Sequence, residues 1–240
     1  YIRGFQGEKL GPQSVACMTK HFPGGGPQKD GEDPHFECGR EQVYPGNNFY
    51  YHLKPFEAAF EACPSQLMPY YGMPVGTQYE EKGFSFNKSV ITGLLREKYG
   101  FDGVVCTDWG LVSDANLFGL ISFPARAWGV EHLTVPERAQ LVLDAGVDQF
   151  GGEFIPEVIV DLVRSGKISE ARIDMSVRRL LREKFVLGLF DHPYIDPDHA
   201  EQTVGRADFK AAGLLAQRKS IVLLKNDSNT LPLKPGKKIY

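Results

Sequence analysis

Long hydrophobic runs, paired cysteines and charge of one sign are all scarce in this 240-residue chain. No stretch approaches the roughly 20 consecutive apolar residues of a membrane-spanning helix, so no membrane partner is indicated. The formal net charge of -3 is spread without long runs, which argues against nucleic acid or an anionic membrane surface and favours a neutral or weakly charged small molecule. Cys17, Cys38, Cys63 and Cys106 include no Cys-x-x-Cys spacing. Cys17 and Cys106 fall in apolar runs and read as free buried thiols. No His, Cys or carboxylate cluster has metal-ligand spacing, and the glycines at 24 to 26 lack the Lys-Ser/Thr of a phosphate loop, so neither a metal nor another cofactor is expected. No charged-then-apolar leader stands at the start. A signal peptide is therefore either absent or lost with a missing N-terminus, and the compartment stays open, cytoplasmic or secreted. With 42% hydrophobic and 24% charged residues, the composition is that of an ordinary soluble globular protein, and disorder is not indicated.

What is present is a rhythm of short apolar runs and amphipathic stretches. Residues 14 to 19, 66 to 68, 103 to 106 and 147 to 150 read as buried strands. Helices are expected from Pro55 to Ala62 with Phe56 and Phe60 on one face, after an Asn87 cap with Ile91, Leu94, Leu95 and Tyr99 on one stripe, and from Val135 to Asp144. Two more follow, Pro156 to Arg164 and a longer one capped by Ser169 that buries Ile173, Val177, Leu180 and Leu181. Strand and helix alternating at roughly 35 to 45 residues is the rhythm of parallel βα units, so the fold class is α/β. Pro27 to Asn48, rich in Gly, Pro, Asp and Glu, reads as one long loop, and loops of that length are usually functional or disordered.

Chemistry concentrates between Phe101 and Gly110. Val104, Val105 and Cys106 suit a strand buried on both faces, and Asp108 stands where it ends. That rim is where parallel barrels keep catalytic side chains. Trp109 adds a flat apolar face, and an aromatic plane beside a carboxylate can hold a sugar ring while the carboxylate addresses the anomeric carbon. The plain alternative is a solvated aspartate capping the next helix. Lys20 and His21 likewise end a strand before a Gly-rich loop, although an isolated Lys-His pair elsewhere is usually a snorkelling lysine and a core histidine. Met68 has a core reading beside any role in a site. Asp148 reads as a carboxylate holding backbone at a strand end, and His52, His132, His192 and His199 as surface residues.

Gly100 to Gly110, Gly-Phe-Asp-Gly-Val-Val-Cys-Thr-Asp-Trp-Gly, resembles the nucleophile segment of glycoside hydrolase family 3, the β-glucosidase and exo-β-glycosidase family. Lys20-His21-Phe22-Pro23-Gly24-Gly25-Gly26 is similar to its Lys-His-Phe substrate loop, and Leu67-Met68-Pro69-Tyr70-Tyr71 to its Met-x-x-Tyr strand end. Arg172 to Asp191 and Lys219 to Asn226 resemble its last barrel helix and the beginning of its second domain. The segments stand in the family's order and span nearly the whole chain. The resemblance implies the last four or so βα units of a (β/α)8 barrel in residues 1–195, a linker in 196–219 and the first strand of an α/β sandwich in 220–240. It also implies that the rest of the same enzyme, an N-terminal half barrel and a second domain, completes the protein.

For function, the resemblance implies a retaining exo-acting β-glycosidase of β-glucosidase type, acting on a β-linked oligosaccharide or β-glucoside. Asp108 would be the nucleophile, Lys20 and His21 would bind sugar hydroxyls, Tyr71 would face the nucleophile, and Met68 and Trp109 would line the first subsite. The acid/base Glu would come from the second domain. One branch of the family, the β-N-acetylglucosaminidases, instead uses an Asp-x-His pair on the loop after Lys-His-Phe-Pro-Gly, and Asp33-Pro34-His35 offers such a pair. Here Gly25 replaces that branch's usual His, and Asp33 comes about two residues late. A non-catalytic, carbohydrate-binding barrel fragment is the third reading, and any such fragment alone is expected to be poorly soluble or inactive.

Overall fold

A computed structural model describes residues 1–117, 121–236 and 238, and divides into two units, Tyr1–Asp191 and His192–Tyr240. In the first unit, three parallel strands lie side by side in the order β1 (Met18–Phe22), β3 (Gln66–Pro69), β5 (Val104–Val105). Lys20 pairs with Met68 and Leu67 with Val105, and the β1 register shifts between Lys20 and Phe22. A single parallel bridge, Cys106 to Gln149, continues the sheet where a fourth strand was expected at 147 to 150. The α/β class with parallel strands follows.

The first strand begins at Met18 rather than at residue 14, and Cys17 is half-exposed while Cys106 is buried. The loop from Pro27 to Asn48 is more ordered than its composition implied. It contains β2 (Glu41–Val43), which pairs in parallel with β4 (Met73–Val75). A hairpin, β6 (Ala115–Leu117) with β7 (Ile121–Phe123), follows β5.

Helices cover the sheet through apolar faces. α1 spans Ile2–Gln6, and α2 (Lys54–Glu61), with Pro55 in its first turn, buries Phe56 edge-on against Phe22, ring centroids 5.2 Å apart. A π-helix, Ser89–Lys98, buries Val90, Ile91, Leu94 and Leu95, and the Asn87 side chain accepts the Val90 N–H at 3.2 Å to cap it. α3 (Val135–Ala145) starts in a Thr134/Glu137 capping box and ends at Gly146. α4 spans Pro156–Arg164, and α5 spans Glu170–Val186 with Ser169 as its cap.

α5 departs from expectation. Val177 and Leu181 are exposed, and the helix turns Arg172, Ser176 and Arg179 toward the sheet instead. Their spacing of four and three puts them on one face, and the cause is the fully buried side chain of Asp148. Its Oδ1 accepts from Ser176 at 2.9 Å and Arg179 at 3.0 Å, and its Oδ2 accepts from Arg96 at 2.6 Å and the Val105 N–H at 3.0 Å. Asp148 therefore holds the strand that leads to Asp108.

In the second unit, much of the stretch read as a linker (196–219) is helical. Asp196 caps α6 (Pro197–Thr203), and α7 spans Ala207–Ser220 in a run of strong helix formers. Ile221 to Asn226, read as a strand, has no ladder partner among the described residues.

Removing the Asp148 carboxylate would leave buried arginine charge and the Val105 N–H without a partner. Asp148→Ala is expected to destabilise the full-length protein by about 3–5 kcal/mol, seen as a lower urea midpoint, and Asp148→Asn by less.

Candidate active site

At the C-terminal ends of β1, β3 and β5, side chains distant in sequence converge. Asp108, 9% exposed, accepts the Trp109 N–H on Oδ1 at 2.8 Å, and its Oδ2 lies 3.3 Å from Nε2 of His21. Thr107 anchors this turn, since its hydroxyl accepts the Gly151 N–H at 2.8 Å and its own N–H donates to Gln149 at 2.9 Å. Burial lowers the His21 pKa; Asp108 pulls it up, and the charges of Lys20 and His35 push it down. His21 is thus neutral at neutral pH and has a hydrogen to offer the carboxylate.

Tyr70 and Tyr71 close one wall. The Tyr70 ring lies 5.2 Å from that of His21, and burial together with the charges of Asp33 and Asp108 pushes its hydroxyl up to about 12. Gly25 is where a Cβ would come within 3.2 Å of the Tyr70 ring, and Cβ atoms at Gly24 and Gly26 would meet His52. The Gly-rich loop thus lets protein side chains approach its backbone, and His52, expected at the surface, is half-buried against it. The Tyr71 hydroxyl donates to the Trp109 carbonyl at 2.6 Å and faces Asp108, whose charge and hydrogen bonding add to burial in raising the Tyr71 pKa.

Trp109 is 54% exposed and its ring rests on Gly151 and Gly152. A Cβ on Gly152 would stand 2.0 Å from Trp109 Cδ1, and Gly152 has a φ of +65°. No side chain fits beneath the ring.

Asp33 and His35 reach the same mouth. His35 Nδ1 is 2.6 Å from Asp33 Oδ1, which also accepts the His35 N–H at 2.9 Å. These two bonds lower the Asp33 pKa. The His35 ring meets Tyr71 edge-on at 4.7 Å. Lys20 is exposed at the end of β1, close enough to His21 for its charge to act there, and makes no hydrogen bond or ion pair with any described residue. Met68 is buried within β3. No metal-ligating group of three or more His, Cys, Asp or Glu occurs among the described residues, and none of their helices is long and apolar enough to cross a membrane. Tyr70 and Arg126, whose N–H donates to Gly110 at 2.9 Å, complete the mouth. Sequence reasoning gave Tyr70 little weight and passed over Arg126, whose one signal was its place beside Trp128 in a loop.

The family model described as "Glycosyl hydrolase family 3 N terminal domain" matches residues 1–183. The chain belongs to glycosyl hydrolase family 3. Among family 3 relatives it is 60% identical over 234 residues to "Probable beta-glucosidase C" of Aspergillus flavus, covering 98% of this chain and 37% of that protein. It is 40% identical to "Periplasmic beta-glucosidase/beta-xylosidase" of Dickeya chrysanthemi, covering 100% of this chain and 39% of that one. A β-glucosidase structure from Erythrobacter marinus aligns with a TM-score of 0.78 and 29% identity, over 97% of this chain and 29% of its own. One from Listeria innocua in complex with glucose aligns at 0.72 and 28%, over 97% and 30%. The chain therefore spans less than two fifths of the length of these relatives.

Two outcomes follow from the geometry. Gly152→Ala should displace the Trp109 ring and change the intrinsic fluorescence that Trp109→Phe removes, while the emission of buried Trp128 stays. By NMR, His21 should titrate below its ordinary 6.5, and Asp108→Asn, by removing the one charge that raises it, should move the midpoint lower still. The folded state then binds fewer protons than the unfolded between that midpoint and about 6.5, so the contribution of His21 to stability is present above this window and lost as pH falls through it.

Proposed function

We propose that the chain is the reacting portion of a retaining, exo-acting β-glycosidase of β-glucosidase type, with Asp108 as nucleophile. In this reading residues 1–195 are the C-terminal half of the (β/α)8 barrel within the family's N-terminal domain, 196–219 connect it onward, and 220–240 begin the α/β sandwich. The rest of the same enzyme supplies the other half barrel and an acid/base. The observation that carries the reading is Asp108 itself, nearly buried at a strand end, 3.3 Å from a histidine, beside an exposed tryptophan face.

The chemistry follows from that placement. A terminal sugar packs its C–H face on Trp109, and His21 and Lys20 donate to its hydroxyls. An Asp108 oxygen attacks the anomeric carbon as the bond to the leaving oxygen breaks, and the general acid protonates that oxygen. Water, deprotonated by the same group, then cleaves the sugar ester and regenerates the carboxylate. The names of the relatives support a β-glucoside as substrate.

A second reading differs only in the acid/base, and the 2.6 Å Asp33–His35 contact at the same mouth favours weighing it. A carboxylate-oriented imidazole can shuttle the proton, as in the β-N-acetylglucosaminidase arrangement.

Three measurements on the full-length enzyme test these statements. A 2-deoxy-2-fluoro glucoside should leave a covalent adduct on the peptide bearing Asp108, and Asp108→Ala should lower kcat by on the order of 10^4 with folding intact; a variant with near-normal rate removes Asp108 from the mechanism. His35→Ala should keep activity within about tenfold if the acid/base lies elsewhere, whereas a loss of 10^2 or more transfers the role to the loop histidine.

A further inference from the structure

Sharing His35 and Arg126 with the mouth lies a cavity of about 490 Å³. Most of its charged side chains are engaged with one another or with backbone groups. Arg40 pairs with Glu131 at 3.3 Å and stands 3.8 Å from Glu37, Asp114 accepts the Ala125 N–H at 2.9 Å, and Arg138 donates to the carbonyls of Val112, Val130 and Glu131.

Arg126 is the exception. Its Nε makes a long contact of 3.4 Å to the His35 carbonyl, and its two terminal nitrogens donate to no described residue. No carboxylate lies within ion-pair distance of it among the described residues. Its guanidinium is 5.5 Å from the Phe123 ring and 6.0 Å from that of Tyr71, and one terminal nitrogen is within 2.9 Å of where a Gly110 Cβ would be. Phe36, 55% exposed, faces the same space.

A second sugar unit is a poor complement to these walls, because its hydroxyl oxygens need several donors and those of Arg40 and Arg138 are already committed to Glu131 and to backbone carbonyls. Two aromatic walls and one cation with unassigned N–H groups suit a flat ring carrying negative charge. We propose that the cavity receives the leaving-group side of the substrate and is built for an aromatic aglycone with an anionic substituent, that is, a phenolic acid β-glycoside, with Phe36 and Phe123 as walls and Arg126 as partner of the anion. The volume lies in the range of small-molecule pockets. The inference rests on the glycosidase reading and adds to it the class of aglycone.

The test uses the full-length enzyme with two near-isosteric substrates, 4-carboxyphenyl and 4-carbamoylphenyl β-glucoside, compared by kcat/KM in wild type and Arg126→Gln. Taking the ratio of ratios cancels the difference in leaving-group acidity and any general damage to the fold. The expected result is a preference for the carboxylate in wild type that falls by roughly ten- to hundredfold in Arg126→Gln and is largely retained in Arg126→Lys. A ratio that Arg126→Gln leaves unchanged overturns the proposal. If neither glucoside is hydrolysed, the glycosidase reading fails, and calorimetric titration of 4-hydroxybenzoate onto the same protein still decides the cavity: binding weakened by Arg126→Gln upholds the anion site, and absence of binding to wild type overturns it.

Discussion

The carboxylate of Asp148, fully withdrawn from water, is the point on which the geometry of the first unit turns. It accepts from two arginines on different helices, one serine and one strand N–H, and its own backbone N–H donates to Val105 at 2.8 Å. A buried charge is tolerable only when such donors surround it, and once they do it fixes their relative positions far more narrowly than apolar packing would. Arg96 also reaches the carbonyls of Phe101 and Gly103, so the turn leading into β5 is tied to the same centre. The strand that ends in Asp108 is thus held from beneath, by polar contacts at one end, while its other end remains available for chemistry.

At that other end the charges are arranged to keep the histidine neutral. Loss of water weighs most on His21, Lys20 and His35 add to it, and Asp108 alone opposes them. A neutral imidazole keeps the local field of Asp108 from being cancelled, which leaves the carboxylate its full charge. Tyr71, by bonding to the Trp109 carbonyl, orients the peptide that carries both the carboxylate and the aromatic face. The residues around Asp108 act on its position as much as on its charge.

Much of this could be read in the residues themselves. Pro55, Asn87 and Ser169 mark helix starts because caps and first-turn prolines are local chemistry, and the parallel strands announce themselves by apolar runs. That Lys20-His21, Tyr70-Tyr71 and Asp108-Trp109 stand at strand ends could be read locally, whereas their grouping in one site was what the family resemblance implied. What remained hidden depended on contacts between distant segments. The inward face of α5 could not be read from hydrophobic spacing alone, since beside Ile173 it turns in Ser176 and Arg179, whose partner Asp148 stands in a distant segment. The short β2 in the Pro27 to Asn48 loop was masked by turn-forming residues, and nothing local in Ala125-Arg126-Ala127 tells that the guanidinium ends beside Gly110. The helical content of 196–219 was missed because a linker reading gave too little weight to its alanines, leucines and lysines.

The tryptophan ring that rests directly on two glycines has a consequence for how the pocket can diversify. The ring lies directly against bare peptide, so the floor of the pocket cannot be raised by exchanging residues underneath it. Any change in the size of sugar accommodated must come from the opposite wall or from the loops at the rim, and relatives that share this floor would be free to vary there while keeping the same reacting centre.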